Sequence, residues 1–178
     1  MIEAVGDIWA ISTSKDIIVV TTNCGWREDG RAVMGAGLAR EAARRYPWLP
    51  STYGAYLQEA AARRDGSEEL LLHVRPEKTH KRRWCAGLIL FPTKPLDRVR
   101  PWKSWWPNSD IALIQRGLLA LRTCGLELSS TERALILVPS LGCSNGGLSE
   151  TDVVPLMAAA LPDACFVHVR ARGVDATG

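Results

Sequence analysis

The chain has 178 residues, 47% of them hydrophobic and 23% charged, with a formal net charge of +3. That length suits one domain able to bury roughly 70% of the surface its unfolded chain would expose. A charge this small is no argument for nucleic acid by itself, and the apolar runs are too short to cross a bilayer, so a soluble protein in the cytoplasm, with no membrane partner, is expected.

The elements follow in chain order. "IEAVGD" is a short strand, and "DIIVVTT" (16–22) is a β-branched run suited to a buried strand. After a small-residue loop, "AGLAREAARRYP" reads as a helix with Leu38, Ala39, Ala42 and Ala43 on one face, stopped by Pro47. Tyr53, Tyr56, Leu57 and Ala60 then mark one face of a second helix, capped by Ser51 or Thr52. "ELLLHV" (69–74) and "CAGLILFP" (85–92) flank a charged stretch, which predicts a hairpin with a basic tip. "VRPWKSWWPN" (99–108) reads as irregular, punctuated by Pro101 and Pro107.

Ser109 is the expected N-cap of a helix carrying Ile111, Ile114, Leu118 and Leu121, with Gly125 as its stop. "RALILVP" (133–139) is a buried strand and "SLGCSNGGLS" a second glycine-rich loop. Ser149 or Thr151 caps the helix "DVVPLMAAAL", "CFVHV" (165–169) is the last strand, and residues 171–178 read as a frayed tail. Strands alternating with helices predict one α/β layered domain over residues 1–170 with a mixed sheet. The five cysteines lack a C-x-x-C pair and read as reduced thiols, and the three histidines lack ligand spacing, so neither metal nor cofactor is expected.

Residues 30–47, "GRAVMGAGLAREAARRYP", miss both familiar phosphate signatures. Gly30 and Gly35 have P-loop spacing, but Ala36 and Gly37 stand where the Lys and Ser/Thr belong, and the third glycine of G-x-G-x-x-G is Arg40. Still, two glycine-rich loops each follow a buried strand and precede a helix, the setting in which backbone amides collect an anion beyond the carboxyl ends of strands. Between them "ILFPTK" brings Thr93 and Lys94 to a strand end, where the lysine is either solvated or, with a lowered pKa, reactive. Asn23 either binds a sugar hydroxyl or turns the chain, and Asp7 either accepts from an exocyclic amine or is an ordinary loop carboxylate.

Four ordered segments, "GDI" (6–8), "TTNCG…VMGAGLA" (21–39), "LFPTK" (90–94) and "VPSLGCSNGGL" (138–148), give the chain a resemblance to the macro domains, which bind ADP-ribose. It resembles in particular the branch holding the DNA ADP-ribosyl glycohydrolase antitoxins and the terminal ADP-ribose–protein glycohydrolases. The resemblance implies a three-layer α/β/α fold around a central mixed sheet. It implies that Asp7 and Ile8 take the adenine, that Asn23 faces the distal ribose, and that Met34, Gly35, Ala36 and Gly37 wrap the diphosphate and that ribose. Thr93 lies beside Lys94 in the binding set. Ser140, Leu141, Gly142, Cys143, Ser144, Asn145, Gly146 and Gly147 would close from the other side. Lys94 matches the lysine implicated in catalysis, with Asn23 positioning the sugar. Where the protein-directed enzymes carry an aspartate this chain has Gly146, as the DNA-directed antitoxins do, and their "GGLDW" is here "GGLSE", ending on Glu150.

The implied activity is hydrolysis of an ADP-ribosyl linkage on DNA or protein. The alternatives are a reader that binds ADP-ribose without turnover and a hydrolase of a small ADP-ribose derivative. Two features remain open. Residues 25–32, with Trp26, Arg27, Glu28 and Asp29, either rim the pocket or form a disordered insertion. Trp102, Trp105 and Trp106, with Lys103, Lys81, Arg82 and Arg83, either contact single-stranded DNA or make a core-packed lid beside a solvated tip.

Overall fold

The computed structural model describes residues 1–76, 84–162 and 164–172. These form a six-stranded mixed sheet in the order β1-β6-β5-β2-β4-β3. The strands are β1 (Ile2–Val5), β2 (Ile17–Asn23), β3 (Leu72–Val74), β4 (Gly87–Lys94), β5 (Ile136–Pro139) and β6 (Phe166–Arg170). All neighbours run parallel except β3, which pairs antiparallel with β4 as the hairpin reading expected. The basic tip of that hairpin lies outside the described residues, as does the expected frayed tail from residue 173 onward.

Strand periodicity divides the core in two. On β2, Ile18 and Val20 face one side and Ile17 and Val19 the other, all fully buried. The first face packs under α1 (Ile8–Ile11), α2 (Gly37–Arg45) and α3 (Leu49–Arg63), the second under α4 (Ile111–Glu132) and α5 (Glu150–Ala160). The result is the three-layer α/β/α arrangement.

Three local expectations are corrected. The second helix starts at Leu49, not at Ser51 or Thr52, with Pro50 in its first turn, where the missing amide proton costs nothing. α4 is capped by Asp110, whose carboxylate accepts from the amides of Ala112 and Leu113, while Ser109 turns inward to Thr93. Gly125 does not stop α4. It sits mid-helix because a Cβ there would lie 2.3 Å from Cζ of Phe166 on β6, and Gly117 makes the same accommodation to Phe91 on β4. The helix runs to Glu132 and ends on Arg133 at φ 54, which shortens β5 to Ile136–Pro139. α5 is capped by Ser149, one of the two residues expected.

Candidate functional site

A proline shapes one end of the cleft. Pro92 has no N–H to give the ladder between β2 and β4, and the register slips there: Thr22 faces Pro92, but Asn23 faces Lys94. Thr93 is the extra residue. Its hydroxyl turns into the core, donating to the Thr22 carbonyl and accepting from Ser109 Oγ at 3.0 Å. Asn23 and Lys94 are thereby set side by side at the carboxyl ends of two adjacent strands.

Of the two roles expected of it, Asn23 fills that of turning the chain. Its Oδ1 accepts from the Gly25 amide and its Nδ2 donates to the Val33 carbonyl, both at 2.9 Å. The side chain thus pins both ends of residues 25–32, with one N–H and one lone pair outside those two bonds. That stretch is ordered: Trp26 bridges to Ala32, Gln58 of α3 donates to the Gly30 carbonyl, and Gly54 leaves room for it. Only Arg27 of the four residues in question reaches the cleft wall; Trp26 packs on the core, and Glu28 and Asp29 are exposed.

Lys94 Nζ donates to the carbonyls of Trp105, at 2.8 Å, and Asn145, at 3.0 Å. One ammonium therefore ties the tryptophan-rich segment to the second glycine loop and keeps a third N–H free of those bonds. Partial burial pulls its pKa below the usual lysine range. From the same loop, Asn145 reaches across so that its Nδ2 lies 3.0 Å from where a Cβ of Gly37 would be. Gly37, at φ 51, opens α2, and the N-cap Ala36 supplies no side-chain acceptor to the first-turn amides.

These parts line a cleft of about 1030 Å³. Asp7, Ile8, Asn23, Gly35, Ala36, Gly37, Thr93 and Lys94 are on its wall, facing Ser140, Gly142, Cys143, Ser144, Asn145 and Gly146. Three of the expected residues are not: Met34 and Leu141 are buried in the two cores, and Gly147, at φ 74, lies against Asn108. Asp7 caps α1 by accepting from the Trp9 amide at 2.9 Å. Asn108, Glu41 and Arg172 join the wall without any sequence signal, and Trp105 and Trp106 join it while Trp102 does not. Gly146 answers the question of the missing aspartate: a Cβ there would meet Ser109 Oγ at 2.4 Å. Among the described residues no group of three or more acidic, His or Cys side chains could hold a metal, and no helix is long and apolar enough to cross a membrane.

No family model matches the chain. Two curated proteins named DNA ADP-ribosyl glycohydrolase, from Mycobacterium bovis (strain BCG / Pasteur 1173P2) and Mycobacterium tuberculosis (strain ATCC 25618 / H37Rv), are each 32% identical over 161 residues. The match covers 89% of this chain but spans only 38% of those relatives. Among solved structures, the macrodomain of Mycobacterium tuberculosis DarG superposes with a TM-score of 0.68 at 27% identity, covering 97% of both chains. Thermosipho africanus DarTG in complex with ADP-ribose gives a TM-score of 0.63 at 22% identity, covering 97% of this chain and 42% of that one. With the sheet order and the two facing loops, these likenesses identify a macro domain similar to that of DarG.

Proposed function

We propose that this macro domain binds ADP-ribose in the cleft and hydrolyses the bond between its distal ribose and an acceptor on DNA or protein, with DNA preferred. The observation that carries the reading is Lys94, held by two carbonyls beside Asn23 at one end of a cleft whose other end is Asp7. The names of the curated relatives support the DNA acceptor.

Binding energy comes from the loops. The free first-turn amides of α2 and those amides of the second loop that do not bond within it, as Cys143 and Gly146 do, surround the diphosphate, which fixes the anomeric carbon against Lys94. In the reaction the carbon–acceptor bond breaks, water gives its hydroxyl to the carbon, and its proton ends on the acceptor. The third Nζ–H of Lys94 stabilises negative charge on the departing or attacking oxygen, and Asn23 holds the ribose. With Gly146 backed against Ser109, the second loop offers no carboxylate partner to the lysine, which supports the donor role over covalent attack. Trp105 and Trp106, both at least half exposed and meeting edge to face at 5.4 Å beside Lys94, offer rings to unpaired bases of the acceptor strand. The free thiols of Cys24, Cys85, Cys124, Cys143 and Cys165 support a reducing, cytoplasmic setting.

The test incubates ADP-ribosylated single-stranded DNA, ADP-ribosylated protein and O-acetyl-ADP-ribose with wild type and with Lys94→Ala. Release of ADP-ribose from the DNA by wild type, lost in Lys94→Ala while ADP-ribose still binds, is expected. Binding with no release from any substrate would make the protein a reader and end the hydrolase reading.

A further inference from the structure

The middle of the cleft wall carries a carboxylate that the glycosidic chemistry does not use. Glu150 opens α5 and lines the cleft. Its Oε1 accepts from Ser140 Oγ at 2.6 Å and its Oε2 accepts from the Arg170 guanidinium at 3.0 Å. Behind Ser140 stands His168, fully buried on β6, with Nε2 3.0 Å from the same hydroxyl. The serine has one proton and gives it to the carboxylate, so the imidazole must donate from Nε2. Each Glu150 oxygen spends one lone pair on the protein and keeps another. The hydrogen bond from Ser140 and the charge of Arg170 hold its pKa below the usual carboxylate range.

Sheet order locates this group along the cleft. Reading across the carboxyl ends, Asp7 follows β1, Ala171 and Arg172 follow β6, Ser140 follows β5, Asn23 ends β2 and Lys94 ends β4. With neighbouring strands about 4.8 Å apart, Ser140 and Glu150 stand roughly 10 Å from each pole. In an ADP-ribose laid from Asp7 to Lys94, the adenosine ribose and the diphosphate occupy that span. Loop amides suit the diphosphate, whereas a carboxylate repels it. Two carboxylate oxygens with free lone pairs suit a vicinal diol, which donates two O–H bonds.

Resting on the ADP-ribose reading, we propose that Glu150 accepts the hydroxyls of the adenosine ribose and makes the cleft selective for an unmodified ribose over one bearing a 2′-phosphate. An ionised phosphate has no proton to donate to Glu150 and adds like charge beside it. Arg170 neutralises the carboxylate from outside the wall, since it does not itself line the cleft.

Calorimetric titration of ADP-ribose and of 2′-phospho-ADP-ribose into wild type, Glu150→Gln and Arg170→Ala tests this. Wild type should prefer ADP-ribose by about tenfold or more, a difference of roughly 1.4 kcal/mol. Glu150→Gln keeps the shape and removes the charge, so the preference should shrink to within about threefold. Arg170→Ala bares the carboxylate and should widen it, which keeps the idea open to refutation if the glutamine variant does not fold. ADP-ribose binding with the same preference in the variants overturns the assignment of Glu150 alone. Failure of wild type to bind ADP-ribose overturns the ligand reading beneath it.

Discussion

Replacing Gly146 with alanine adds one methyl group where the second loop meets the start of α4. That carbon would lie 2.4 Å from Ser109 Oγ and 3.2 Å from Ser109 Cβ. Gly146 is not among the positive-φ glycines, so the cost is space and not backbone strain. Ser109 cannot yield cheaply. It is buried, its hydroxyl donates to Thr93, and its amide donates to the Gly146 carbonyl at 2.7 Å. Rotating the hydroxyl away leaves it unpaired inside the protein, at about 1–3 kcal/mol. Loss of glycine freedom in the unfolded chain returns about 0.4–1 kcal/mol. Taken at their midpoints these leave a net loss of about 1.3 kcal/mol, which for a domain of this size lowers Tm by about 3–5 °C. Thermal unfolding of Gly146→Ala, Ser109→Ala and the double variant forms a cycle. The double variant should be more stable than the sum of the single losses by about 1 kcal/mol, because the obstructing oxygen is gone. Additive losses, or a Gly146→Ala melt within about 1 °C of wild type, would refute the close contact as the reason this loop carries glycine.

Other expectations follow from the same geometry. If Lys94 acts as a donor, glycohydrolase activity should fall as pH rises through its lowered pKa; activity that climbs over that range would instead indicate attack by the neutral amine. Burial pushes the His168 pKa below the ordinary histidine value, with Glu3 and Glu150 opposing and Arg170 assisting. The unfolded chain then binds more protons between the two values, so stability should rise with pH across that window and be lost on acidification. His168→Gln should flatten the urea-midpoint profile below pH 6.5, the ordinary histidine value, and an unchanged slope would count against this. Gly125→Ala gains about 1 kcal/mol of helix propensity but drives a methyl into the Phe166 ring, at about 1–3 kcal/mol. Net destabilisation, partly relieved by Phe166→Leu, is expected in denaturant unfolding; a stabilised Gly125→Ala would refute it.

What the sequence disclosed was local and periodic. The β-branched run of β2, the glycine loops and the Ser149 cap are written in adjacent residues, so they could be read directly. What stayed hidden depends on partners far along the chain. Gly125 resembles a helix stop until Phe166 is seen beneath it. Ser109 resembles a cap until its hydroxyl is found on Thr93, leaving Asp110 to do the capping. Met34 and Leu141 sit within binding motifs, yet their side chains belong to the core. Glu150 looked like a lost aromatic, and only the fold brings it to Ser140, His168 and Arg170.

The pairing of β1 with β6 fixes an order of assembly. Ile2 lies against Val167 and Val5 against Arg170, so the first strand made must wait for the last before it has a partner. Asp7 follows that strand directly, whereas Asn23 and Lys94 belong to the β2–β4 pair, complete some 76 residues earlier in synthesis (170 against 94). Asn23 and Lys94 can therefore come into register before the strand that leads to Asp7 has its partner, although Lys94 completes its bonds only once Asn145 has been made. A chain halted short of β6 would leave the strand before Asp7 unpaired, so the two ends of the cleft are brought together only when the sheet is complete.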